Sequence, residues 1–276
     1  MVNIEEVRNF WESNPLFSGE SKLEVGSYEF FQEHRKICLE ANLINPCSED
    51  LFFPALSPDA KILDLGCGIG FWTVELSQRL KPAVLWASDL TQTAVDLTRK
   101  RLGFYGLTAN LSVQNAEKMF YEDGFFDHVN CFGVIHHTPD TEAVLKEIAR
   151  VLKKDSTAYI SVYYNNIFLK VWPKMAHLGR FLHKLGAGLK GRGREAMFLQ
   201  TDPKEIVRMY DGENNPIGKC YSRDSIIKMV EPYFIVEKTF LRYFPQRAIP
   251  IKFPDFFLRF LAKNFGFLIH LNLRKK

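Results

Sequence analysis

A doubly wound α/β protein, with a parallel sheet covered by helices on both faces, is the fold class this sequence predicts. Two observations carry that expectation. Between residues 61 and 164, short apolar runs alternate with stretches of helical periodicity, and the first run ends in a glycine-rich turn that opens a helix. Such alternation over about 100 residues calls for crossover connections and therefore parallel strands. Size and composition agree. A chain of 276 residues, 46% apolar and 25% charged, makes one large domain or one domain with an insertion, and excludes disordered or collagen-like classes. No apolar run approaches the ~20 residues that span a bilayer. Glu5 and Glu6 stand where a secretory leader would carry bases, so a cytoplasmic protein is expected.

The elements follow in order. Residues 4–12 have helical spacing, which Asn14-Pro15 breaks, and a second helix is expected over 28–41. Lys61-Ile62-Leu63-Asp64-Leu65 is the first strand and 71–80 the helix after it. Residues 83–89 form the second buried run, followed by a helix with Ala94, Val95 and Leu97 inward. Residues 111–114 and 126–132 give the third and fourth strands. Thr138-Pro139-Asp140 reads as a helix start, with a capping hydroxyl and proline in the first turn. Val144, Leu145, Ile148, Val151 and Leu152 then fall on one helical face, and 158–163 is the fifth strand. After Tyr164 the alternation stops. Residues 165–232 read as helices and loops, strands return at 234–243 and 267–271, and 254–265 between them is an amphipathic helix expected to lay its apolar face on the sheet.

Charge is unevenly placed. The net charge is +4, yet 165–194 holds seven Lys or Arg and no acid, and 246–276 holds seven more against Asp255 alone. The rest of the chain is therefore acidic. The five cysteines (Cys38, Cys47, Cys67, Cys131, Cys220) are odd in number and contain no Cys-x-x-Cys pair, which fits reduced thiols rather than a disulfide framework or a zinc site.

The chemistry centres on Asp64-Leu65-Gly66-Cys67-Gly68-Ile69-Gly70. Glycines between a strand and a helix allow a tight turn and close approach of a ligand to the backbone. A dinucleotide fingerprint is not met, because counting from Gly66 the last glycine position is occupied by Phe71. An acid at this turn repels pyrophosphate and suits a ligand that carries an ammonium group. About 25 residues on, Asp89 ends the second strand, where a carboxylate accepts both hydroxyls of a ribose. The expected ligand is thus a cationic nucleoside without phosphate.

These segments resemble the motifs of class I S-adenosylmethionine-dependent methyltransferases. Residues 61–70 resemble the first motif, Asp89 the ribose-binding acid, Gln114-Asn115-Ala116-Glu117 the adenine-contacting segment, and 130–140 the fourth-strand motif of the small-molecule branch. Asn115 departs from the acid often found in that segment, though an amide still hydrogen-bonds adenine. The resemblance implies a Rossmann-like sheet of seven strands with the last antiparallel, and S-adenosyl-L-methionine as cofactor. It implies cofactor contacts at Asp64, Gly66, Cys67, Gly68, Gly70, Asp89, Leu90, Asn115, Ala116, Glu117 and Phe132. It divides the chain into a helical N-terminal cap (1–58), the cofactor-binding core (59–164), a basic helical lid (165–232) and closing strands (233–276). By the same analogy the N-terminal helices cover the cofactor, with Arg35 within reach of its carboxylate.

Methyl transfer from a sulfonium is an in-line displacement that requires alignment, exclusion of water and no metal. An OH or NH acceptor needs a base, and His136 and His137, on the carboxyl edge of the sheet, are the candidates, His136 slightly ahead. Adjacent histidines cannot easily share one ion and no third ligand is evident. In the insertion, Phe168, Trp172, Leu178, Phe181 and Leu185 interleave with bases, which suits a substrate lid or a helix on an anionic membrane. Lys190, Arg192 and Arg194 are candidates to grip an acidic group on the acceptor. The expected partner is a small-molecule methyl acceptor; nucleic acid is disfavoured by the acidic body. The alternative reading is a peripheral membrane protein that keeps the nucleoside pocket without methyl transfer. Acceptor, methylated atom and oligomeric state are left open.

Overall fold

The computed structural model describes residues 2–40 and 51–276. Ala41 and Cys47 lie outside the described residues. The N-terminal part holds α1 (Ile4–Ser13) and α2 (Tyr28–Glu40). A reciprocal cap between Asn3 and Glu6 starts α1. The sheet then begins: β1 (Ile62–Leu65), α3 (Phe71–Leu80), β2 (Leu85–Asp89), α4 (Gln92–Phe104), β3 (Asn110–Val113), β4 (Phe126–Phe132), α5 (Thr141–Val151) and β5 (Leu152–Tyr164). There follow α6 (Ile167–Val171), α7 (Ala176–Lys184), α8 (Pro203–Met209), β6 (Cys220–Tyr221), α9 (Arg223–Val230), β7 (Phe234–Arg242), α10 (Asp255–Phe265) and β8 (Leu268–Lys275).

The strands lie in the order β3-β2-β1-β4-β5-β8-β7, parallel except for β8, which is antiparallel to both neighbours. The expected α/β class and the antiparallel last strand are as read from the sequence. The two-residue β6 is additional. It pairs with Tyr163 and Tyr164, beyond Ser161, the last β5 residue that pairs with β4. Central β1 is buried throughout and β4 almost so, as continuous apolar strands covered on both faces should be, while β3 at the edge is half-exposed. Val144, Leu145, Ile148 and Val151 of α5 pack into the main cluster, together with Ile226 and Val230 of α9. Helix–strand alternation therefore resumes at Cys220, inside the stretch that the sequence presents as one insertion.

Three local readings are corrected. Asp140, not Thr138, caps α5: its carboxylate accepts from the Ala143 N–H, while the Thr138 hydroxyl donates to the Ile135 carbonyl at 2.8 Å and closes the preceding turn. Leu152 opens β5 rather than closing the helix, and its side chain still reaches the same cluster. In α10, Leu258, Leu261 and Ala262 pack inward, whereas Phe256, Phe257 and Phe260 point outward. Among the described residues no helix is long and apolar enough to cross a membrane.

Candidate active site

The carboxyl ends of β1, β2, β3 and β4 open on one edge of the sheet, where ligands bind in such folds. The turn after β1 is built for close approach. Gly66 and Gly70 both have φ of +75°; a Cβ on Gly66 would drive into the stiff, branched Val134 side chain, and one on Gly70 would meet the Thr98 backbone at 3.0 Å. The Gly66 and Cys67 N–H groups donate to the Ser88 carbonyl at 2.7 and 3.0 Å, which ties the turn to β2. The Gly68 N–H donates to Asp89 Oδ2 at 2.9 Å, and Asp89 Oδ1 accepts from the Thr91 N–H and hydroxyl. Burial raises the Asp89 pKa against the opposing pull of those N–H donors.

A first cavity, about 820 Å³ and partly open to solvent, lies against this edge. Of the residues expected to hold the cofactor, Gly66, Asp89, Leu90, Asn115, Ala116 and Phe132 line it, as does His137. Ile4, Val7, Trp11 and Leu16 cover it from the N-terminal segment. Glu12 anchors that cover: its carboxylate accepts from the Gln92 and Thr93 N–H groups, both at 2.9 Å, at the N-terminus of α4. Among the described residues the lining contains no lysine or arginine.

Five expected contacts lie off this wall, and one of them, Cys67, lines a second cavity instead. Gly68 and Gly70 act through the shape of the turn. Glu117 is drawn away, its carboxylate accepting from the Asp140 N–H at 2.8 Å. Asp64 is 1% exposed and sits behind the turn, where it accepts from Thr73 Oγ1 at 2.6 Å and Asn130 Nδ2 at 2.7 Å. Burial pushes its pKa up to about 6. Arg35 is engaged by Glu75 at 3.2 Å and lines neither cavity.

A second cavity shares Trp11, Gly66, Phe132, Gly133 and His137 with the first and extends between α2, α3 and the segment after β5. Cys67, Phe71 and Trp72 form one side, and His136, Tyr163, Tyr210, Asp211, Tyr243 and Arg247 another. Here the two histidines separate. His137 Nδ1 lies 2.9 Å from the Ile217 carbonyl and Nε2 3.3 Å from Asp211 Oδ2. Both ring nitrogens therefore face acceptors, which leaves neither free to take a substrate proton. Burial alone would raise Asp211, but the charge of His137 and hydrogen bonds from His137 and the Tyr163 hydroxyl (2.6 Å) outweigh it and hold the carboxyl below its usual value. His136, 1% exposed, has its ring centre 4.0 Å from that of Tyr163, and its buried Nδ1 has no partner among the described residues. Burial, then the charges of His137 and Lys219, hold it well below the usual histidine value, so it is a neutral imidazole.

Arg192 and Arg194, expected to grip an acceptor, are held largely by the backbone, though Arg194 also pairs with Glu20 at 3.2 Å and lines the second cavity. Arg192 donates to the carbonyls of Pro15, Ser18 and Asp211, and Arg194 to those of Lys190, Gly191 and Tyr210. They stitch residues 15–18 to the 190–211 segment. Asp211, Tyr163, Tyr210 and Tyr243 were not legible as site residues. Asp211 lies 74 positions from His137 in a stretch without periodicity, and nothing local marks it.

A family profile described as a methyltransferase domain matches residues 62–155. A ubiquinone biosynthesis O-methyltransferase of Idiomarina loihiensis is 27% identical over 152 residues, which is 55% of this chain and 59% of that protein. One from Xanthomonas campestris is 33% identical over 105 residues, 38% of this chain and 43% of its own length. A ubiquinone/menaquinone biosynthesis C-methyltransferase of Chromobacterium violaceum is 28% identical over 117 residues, 42% and 46% of the two chains. The chain thus spans about half the length of the curated relatives it matches. Among solved structures, a SAM-dependent methyltransferase of Methanosarcina mazei superposes with a TM-score of 0.56 at 19% identity, covering 84% of this chain and 98% of that one. That likeness concerns the fold. With the glycine turn, the Asp89 carboxylate and the strand order in place, the conclusion is that residues 62–155 of this chain match a methyltransferase domain and that its sheet has the fold of S-adenosylmethionine-dependent methyltransferases.

Proposed function

We propose that this chain transfers a methyl group from S-adenosylmethionine, held in the first cavity, to a hydroxyl of a small, partly lipophilic acceptor held in the second. The observation that carries the reading is the lining of the first cavity: an acid at the end of β2, an amide after β3, a glycine turn and, among the described residues, no cation. That set suits a nucleoside with a positive charge and repels pyrophosphate. Bound there, the cofactor supplies an electrophilic methyl group on sulfur. Asp89 would take the ribose hydroxyls, Asn115 and Ala116 the adenine edge, and Gly66 with Cys67 the chain leading to the sulfur. Asp64 acts from behind, holding α3 and β4 against the turn through Thr73 and Asn130.

Gly66 and Phe132 belong to both cavities, so donor and acceptor meet there. Trp11 and Leu16 close over them and exclude water. His136 takes the acceptor's proton, while the His137–Asp211–Tyr163 group positions the loop that carries it. The relatives named for O-methyl and C-methyl transfer support a small-molecule acceptor; the unprotonated His136 favours oxygen. Residues 165–219, tied to the N-terminal cover by Arg192, serve as the substrate lid. The free cysteines among the described residues support a cytoplasmic setting, and peripheral contact with an anionic membrane belongs to the same reading.

The test is incubation of the protein with S-adenosylmethionine bearing a deuterated methyl group and cell extract. The expected result is a labelled small molecule together with S-adenosylhomocysteine. Cofactor binding without any labelled product would point to the alternative, a nucleoside-binding protein without methyl transfer.

A further inference from the structure

We infer that the exposed faces of α6, α7 and α10 dock on an anionic lipid bilayer. This names the surface behind the membrane part of the proposed function and rests on no step of methyl transfer. Among the described residues, nine of the nineteen exposed large hydrophobic side chains lie in 167–185 and 251–260. Along α7 and its C-cap, Leu178, Phe181 and Leu185 recur at i, i+3 and i+7 and are all exposed, so this apolar stripe points to solvent. A basic stripe, His177, Arg180 and Lys184, runs beside it at the same spacing. α10 buries one face through Leu258, Leu261 and Ala262 and turns Phe256 (76% exposed) and Phe260 (53%) outward, beside Arg259 and Lys263. Ring contacts make the α6–α10 part continuous: Phe168 lies 5.5 Å from Phe265, and Phe265 lies 6.2 Å from Phe260.

The charge on this face selects the occupant. Among the described residues Lys170, Lys174, Arg180, Lys184, Lys252, Arg259 and Lys263 have no ion-pair partner, and Asp255 is the one acid interspersed with them. A second copy would bring like charges together. An anionic bilayer supplies hydrocarbon for the phenylalanines and negative charge for the seven cations. The face also adjoins the acceptor cavity: Tyr243 lines that cavity, and the next residue, Phe244, packs in the α10 cluster. A lipophilic acceptor dissolved in the bilayer thus has a short route to the site.

The test is cosedimentation of the full chain with phosphatidylcholine vesicles and with an equal mixture of phosphatidylcholine and phosphatidylglycerol. Calorimetric S-adenosylhomocysteine binding and sedimentation velocity serve as separate readouts. Expected is binding to the anionic vesicles, weakened by salt, and an at least about tenfold loss in a Phe256→Ser, Phe260→Ser double variant whose nucleoside affinity is unchanged. Arg180→Glu with Lys184→Glu should give a comparable loss. Absence of binding to anionic vesicles, or binding indifferent to all four substitutions, overturns the inference. So does a concentration-dependent dimer that the phenylalanine variants break, which would make a second copy the occupant. None of these results bears on cofactor binding, so failure here is distinguishable from failure of the methyl-transfer reading.

Discussion

The two cavities are built in opposite ways. The first takes its wall from the ends of consecutive strands, with Gly66, Asp89, Asn115 and Phe132 each at or just past the end of its own strand in chain order. The second takes its wall from α2, the turn after β1, the loop after β4, the end of β5, the 190–211 segment and the residues after β7. A nucleoside shared by a whole family can be held by backbone turns whose geometry the sheet dictates. An acceptor particular to one enzyme is held by side chains gathered from distant segments. The first kind of site leaves a local signature, and the second does not.

Substitutions on either side sharpen that contrast. The largest expected effect is at His136: His136→Ala should lower kcat by about 10²–10⁴ with the S-adenosylhomocysteine affinity unchanged. An unaltered rate would remove His136 as the base. Next, Gly66→Ala should weaken nucleoside binding by about a hundredfold, because it combines a left-handed backbone with a clash against Val134. Calorimetry measures this directly, and a near-native affinity would contradict the account of the turn.

Asp64 gives a pH prediction. Its folded pKa is raised, to about 6, above an unfolded value near 3.9, so the native state favours the protonated form. Its contribution to stability is fully present below about pH 4, falls by roughly 3 kcal/mol as the pH rises to about 6, and is level above that. Asp64→Asn can keep hydrogen bonds with Thr73 and Asn130, and should flatten this slope in urea denaturation. Parallel slopes for the two proteins would refute the burial argument.

Asp211→Asn should cost about tenfold in rate, because His137 loses its carboxylate partner and the loop holding His136 loosens. The acid limb of the rate profile should shift as well, which simple loosening of the fold would not do. The smallest effect is at Arg192→Ala. Releasing 15–18 from the 190–211 segment should raise the KM for the acceptor a few-fold and leave kcat nearly unchanged.

Much of this was readable in advance, and the reasons are physical. The buried strands β1 and β4 and the amphipathic α5 announce themselves because burial on two faces, or on one helical face, imposes a pattern on consecutive residues. Gly66 and Asp89 were legible because each sits at a strand end. Glu117 and Arg35 were misplaced because their carboxylate and guanidinium found nearer partners, the Asp140 N–H and Glu75. Arg192 read as a cationic grip because the backbone carbonyls that hold it leave no mark in a sequence. β6 escaped notice because two residues carry no period.

Calorimetric titration of the purified protein with S-adenosylhomocysteine and, separately, with a nicotinamide dinucleotide probes the nature of the first cavity most directly. A saturable heat with the former, lost in Asp89→Ala, and none with the latter is the predicted result. Binding of the dinucleotide, or affinity for the nucleoside that survives removal of the Asp89 carboxylate, would contradict it.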